Sequence, residues 1–232
     1  MNARDSHVKP NAAAHSLRER IAAVAWQRVG TDLDAQGSAL IERLIAPAEC
    51  TELAALYAVD EGAASGIFRS RVVMGRHGFG RGEYRYFRYP LPALIAGLRE
   101  SVYPHLVPIA NRWNESMGIA VRFPHPHAEF TARCHAAGQL QPTPLLLRYG
   151  ADDYNCLHQD LYGEHVFPLQ LVLLLSEPGR DFEGGEFVMT EQRPRMQSRP
   201  IVLPLRQGDV AVIAVHHRPV QGTRGVHPIH PS

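Results

Sequence analysis

His158 and Asp160 are the residues whose types and spacing could do chemistry. They stand in the turn NCLHQDLYG, one residue apart. Side chains two positions apart on an extended segment point to the same side. One imidazole nitrogen and one carboxylate oxygen on one face make two thirds of the 2-His-1-carboxylate set that holds Fe(II), and the pair also suits Mn(II) or Zn(II). The bland alternative is a turn whose aspartate accepts from backbone amides.

Apolar segments flank the pair and must position it. LLLRYG precedes it as a strand, and the run at 166–175 follows it. That run is about half the length that spans a bilayer, and it contains Pro168 and Gln170. The N-terminus, MNARDSHVKPNAAAHSLRER, has no apolar core and is not a secretory signal. Cys50, Cys134 and Cys156 are odd in number and widely spaced. They exclude a disulfide scaffold and a structural zinc site and fit a reducing compartment. A formal net charge of +1 offers no field for nucleic acid or an anionic membrane. The expectation is a cytoplasmic protein with no nucleic-acid partner and no membrane. The 13 histidines are a further invitation to look for metal.

Upstream, the pattern predicts helices. Residues 1–15 are polar and Ala-rich and are expected to be mobile. Ser16 and Glu19 form a capping box, Gly30 and Gly37 should break the region, and SALI from Ser38 fits a strand. Pro47 opens a helix, and DEGAASG at 60–66 is a loop. FRSRVVMGRHGFGRGEYRYFRY at 68–89 reads as two strands joined by a glycine-rich turn, with arginines wet and aromatics inward; a mobile lid is its functional alternative. The stretch 94–117 is the strongest helix, which Pro104 and Pro108 should kink or divide. A shorter helix spans 128–137, with His125, His127 and His135 as surface or capping groups. After Gly138 strands dominate, at 144–149, 166–175, 185–190, 200–205 and 209–215. The fold class is α+β with a β-sandwich or barrel core.

The order strand, RYG, HQD, long apolar run, FEGGEF, then VLPLRQGD resembles the 2-oxoglutarate- and Fe(II)-dependent oxygenase superfamily, and its prolyl-4-hydroxylase-like bacterial branch most of all. The resemblance implies a double-stranded β-helix (jelly-roll) over 141–232, preceded by a helical support region over 16–140. It implies His158 and Asp160 as iron ligands, Tyr149 beside the cosubstrate, and Fe(II), 2-oxoglutarate and O2 as cofactors. The implied activity is a dioxygenase that hydroxylates a small-molecule or peptide substrate and releases succinate and CO2. Leu171, Leu173 and Leu175 should pack the barrel rather than touch substrate.

The same pattern includes a distal histidine and, beyond it, an arginine or lysine for the far carboxylate. HHRPVQGTRG offers His216 or His217 with Arg224, but in what reads as a loop. The tail GVHPIHPS, with His227 and His230, is too proline-rich for a central strand. The favoured expectation is a core that lacks its C-terminal strand and leaves an open sheet edge. An inactive oxygenase relative, or a non-catalytic metal- or ligand-binding β-barrel, is the alternative function.

Overall fold

The computed structural model describes residues 16–59, 66–161, 163–192, 197–222 and 225–231, with side chains as far as residue 220. The expected mobile N-terminus and nearly all of the 60–66 loop lie outside the described residues. The first part holds α1 (Leu17–Ala22), α2 (Trp26–Gln36), β1 (Ser38–Ile41), α3 (Pro47–Val59) and β2 (Phe68–Val73). Then come β3 (Gly80–Arg81), β4 (Glu83–Phe87), α4 (Ala93–Ser116), α5 (His127–Ala136), β5 (Leu145–Arg148) and β6 (Tyr154–Asn155). The last part holds β7 (Leu169–Leu173), β8 (Phe187–Gln192), β9 (Arg199–Leu203), β10 (Val210–Ala214), β11 (Arg218–Gly222) and β12 (Gly225–Pro231). The strands form antiparallel sheets in the orders β1-β10-β7, β11-β12-β8-β9, β2-β4-β5 and β3-β6. The five helices and these sheets make a mixed α/β fold compatible with a β-sandwich core. No described helix is long and apolar enough to cross a membrane.

β10 divides two cores. Val210, Val212 and Ala214 pack with Val29 and Leu33 of α2 and with Leu98, Leu106 and Trp113 of α4. Ala211 and Ile213, on the other face, pack with Met189 and Leu203 and with Val172 and Leu174. Leu171, Leu173 and Leu175 pack against the cluster that the helices form with β1 and β10. The turn before β10 is tightly built. Gly208 has φ +85, and a Cβ there would lie 2.2 Å from the Ile45 carbonyl oxygen. The buried Asp209 carboxylate accepts from the Arg43 amide at 2.8 Å and the Arg206 amide at 2.9 Å.

Several expectations are corrected. Gly30 does not break a helix; it lies inside α2, where a Cβ would meet Ile109 Cδ1 of α4 at 3.6 Å. α4 is one helix through Pro104 and Pro108. Its buried row of Leu98, Val102, Leu106 and Trp113 holds it together, while Pro108 faces solvent, where the carbonyl that loses its donor can meet water. His127 is not a surface group but packs edge-on against Tyr103, 5.2 Å between centroids, beside Phe123, Phe130 and Phe167. In the 68–89 hairpin the arginines are not all wet. Arg85 is buried, its guanidinium 4.5 Å from the Tyr57 ring centroid, and donates to the Tyr57 carbonyl at 3.1 Å.

The tail expected to be unfit for a central strand forms β12, which lies between β11 and β8 and reaches β8 at His230 and Pro231. Pro219 and Pro228 sit opposite one another, so the two residues without an N–H share one rung of the ladder. Arg218 anchors the β11–β12 hairpin from within. Its Nη2 donates to Glu191 Oε2 of β8 at 3.1 Å, and its Nη1 to the Asp34 carbonyl of α2 at 3.0 Å. A buried guanidinium so supplied with acceptors satisfies a helix-end carbonyl as well as a charge.

Asp209→Ala should destabilise the chain by about 1–3 kcal/mol for each amide it strands. The urea midpoint, at an unchanged slope, measures this. Burial also pushes the His127 imidazole down from 6.5 to about 4, with the Arg99 charge adding to it. Between those pH values the unfolded chain takes up a proton that the folded chain refuses, so stability is full above 6.5 and falls as pH drops through the window. His127→Phe should flatten that acid limb in urea midpoints recorded against pH.

Candidate metal centre

The strand β5 delivers Tyr149 and Gly150 to a turn closed by the Asp153 carboxylate, which accepts from the Gly150 amide at 2.7 Å. β6 then pairs with β3, so the chain reaches Cys156 along a fixed path. His158 and Asp160 follow on irregular backbone rather than on a strand. The structure nevertheless brings them together, with His158 Nε2 3.6 Å from Asp160 Oδ1. That separation lies within the span of two donors each about 2.1 Å from one cation.

Each donor is held from behind. His158 Nδ1 lies 2.7 Å from the Cys156 carbonyl oxygen. A carbonyl only accepts, so Nδ1 carries a proton and Nε2 is the nitrogen turned toward Asp160. Asp160 Oδ2 accepts from Gln170 Nε2 at 3.0 Å, leaving Oδ1 for the imidazole side. Hydrogen bonds of this kind fix the tautomer and orientation of ligands in metal sites. Downstream, Gln139 holds the backbone of the same loop. Its Oε1 accepts from the His165 amide at 2.8 Å, and its Nε2 donates to the His165 carbonyl at 3.2 Å.

The pair opens on a trough of 2740 Å³, also lined by Tyr149, Arg148, Gln170 and Phe187. The Tyr149 ring lies over Gly82, where a Cβ would meet Cδ1 at 2.8 Å. Burial of part of the ring pushes its phenol up to about 12, so it remains a neutral donor. Among the described residues no third His, Cys, Asp or Glu joins His158 and Asp160 in a metal-sized group. His216 and His217 lie against each other instead, Nδ1 to Nδ1 at 2.8 Å. Arg224 and the side chains of His227 and His230 fall outside the description. Gln170 and Gln139 escaped the sequence reading. The signal for Gln170 was present, as the lone polar residue of the LQLVLLL run.

Residues 82–230 match a family described as "Oxygenase, catalysing oxidative methylation of damaged DNA". The chain belongs to this family. The oxygenase reading of the sequence thus stands at the level of the family, while the match does not single out the prolyl-4-hydroxylase-like branch. The oxygenase is also 45% identical over 168 residues to an uncharacterized protein of Mycobacterium tuberculosis strain H37Rv, covering 70% of this chain and 72% of the relative. A second uncharacterized protein, from the CDC 1551 strain, matches with the same identity and coverage. No solved structure matches the oxygenase.

The carboxamide of Gln170 should matter to metal affinity. Gln170→Leu should weaken Mn(II) binding about 10–100-fold, the range for lost outer support of a ligand. Titration of free Mn(II) by electron paramagnetic resonance checks this.

Proposed function

We propose that this oxygenase is an Fe(II)- and 2-oxoglutarate-dependent dioxygenase built on a double-stranded β-helix core, with His158 and Asp160 as two of its metal ligands. The observation that carries the reading is the His158–Asp160 approach at 3.6 Å, with Nδ1 and Oδ2 both engaged elsewhere. Bound iron and 2-oxoglutarate would supply the oxidising chemistry, with succinate and CO2 as coproducts. His158 would donate Nε2 and Asp160 would donate Oδ1. The Cys156 carbonyl and Gln170 would keep those atoms aimed. Tyr149, neutral and on the wall of the same trough, would donate its hydroxyl to a carboxylate of the cosubstrate. The family's description makes damaged DNA the proposed substrate class.

A second reading is an oxygenase relative that binds metal weakly and does not turn over. It is favoured by the two-membered donor set among the described residues. Anaerobic titration with Fe(II) and 2-oxoglutarate separates the two. The dioxygenase gives a saturable visible charge-transfer band that Asp160→Ala abolishes, and iron-dependent succinate formation that His158→Ala abolishes. A folded chain that gives neither the band nor succinate belongs to the second reading.

A further inference from the structure

Among the described residues four aromatic rings are exposed: Phe79, Tyr89, Tyr149 and Tyr154, between 42% and 54% each. Three of them sit on one short piece of structure. Arg81 of β3 pairs with Tyr154 of β6, and the Cys156 amide donates to the Phe79 carbonyl at 2.9 Å. Tyr149 lies over Gly82, one residue beyond β3. The tip itself, Gly75 to Phe79, is exposed throughout, and His77 stacks on Phe79 with centroids 5.3 Å apart. An isolated exposed ring needs no explanation, but rings gathered on one edge of a trough do.

The hairpin that carries Phe79 is basic, and the facing turn sets Asp153 3.9 Å from Arg81. Residues 68–89 carry six arginines against one glutamate, in a chain whose net charge is +1. Arg76 and Arg81 are exposed on the tip beside the rings. The tip is also locked to the metal-site loop. A Cβ at Gly80 would lie 2.2 Å from the Tyr154 carbonyl oxygen, so the two segments touch backbone to backbone. Cys156, which closes this contact, stands two residues before His158. Phe79 and Tyr149 line the trough that holds His158 and Asp160.

We propose that the β3–β6 tip is a docking surface for single-stranded DNA, with bases stacked on Phe79, Tyr154 and Tyr149 and phosphates beside Arg76 and Arg81. Stacking on aromatic side chains with cationic groups along the backbone is how proteins hold single strands. A duplex cannot use this surface in the same way, because its base faces are already covered by neighbouring bases. The docked strand would present a base to the trough, since Tyr149, Tyr154 and His158 lie on one segment and Phe79 on the hairpin pinned to it. The proposal deepens the reading of DNA as substrate but needs no bound iron.

The test is fluorescence anisotropy of a labelled oligothymidylate with the metal-free full chain at low salt. A duplex of equal length serves as competitor, and Mn(II) binding is read separately in each variant. Phe79→Ala and Tyr154→Ala should each weaken single-strand binding about 10–100-fold, while Phe79→Trp retains it. Arg76→Ala should reduce the salt slope by about 0.7. Mn(II) binding and the circular dichroism spectrum should be unchanged in all four variants. The proposal is overturned if folded alanine variants bind like the wild type, if the duplex competes as well as the single strand, or if no oligonucleotide binds. Wild-type chain that binds the strand but no metal would sink the iron reading and leave this surface standing.

Discussion

Burial of β10 on both faces is the constraint from which the rest follows. A strand with one wet face has its register set by alternation, because a one-residue slip exposes its apolar side. β10 has no such protection, since all five of its residues are buried and apolar. Its register is set instead by the turn that starts it. Gly208 passes so close to the Ile45 carbonyl that only a hydrogen fits, and Asp209 ties the amides of Arg43 and Arg206 to the same point. From there the order passes outward. Ile213 pairs with Gln170 of β7, and Gln170 reaches Asp160. The turn before β10 thereby bears on the position of Asp160.

Much of this was legible in the chain. The strands beyond Gly138, the 68–89 hairpin, the long helix and the H-x-D pair all follow from period, punctuation and residue type. Each misreading came from local rules that tertiary packing overrides. Pro108 does not break α4 because the opposite side of that helix is sealed into the core. Gly30 is not a breaker but a thin place where α2 approaches Ile109. The β11–β12 hairpin was missed because a proline is judged by the donor it lacks, and here Pro219 and Pro228 face one another.

The site shows the same division. The His158–Asp160 pair is visible from sequence because its members are close in sequence. Their surroundings are less so: Gln170 stands out as the lone polar residue of its run, but only the fold brings it to Asp160 and the loop residue Gln139 to His165. Net charge is a coarse guide for a related reason. A sum over the chain says nothing of where the arginines lie, and one hairpin holds six of them, with Arg85 buried and Arg76 and Arg81 exposed. Local charge density, not the total, governs what a surface attracts.

The three cysteines differ in a way that the loop geometry makes useful. Cys50 is fully buried, and burial raises its thiol above the ordinary value. Cys134 is half-buried and raised for the same cause. Cys156 is exposed, two residues before His158 and hydrogen-bonded through its backbone to the hairpin tip. A thiol reagent would therefore meet Cys156 first. The chain carries its own attachment point for a reporter dye, at the junction between tip and loop, with no engineered residue required.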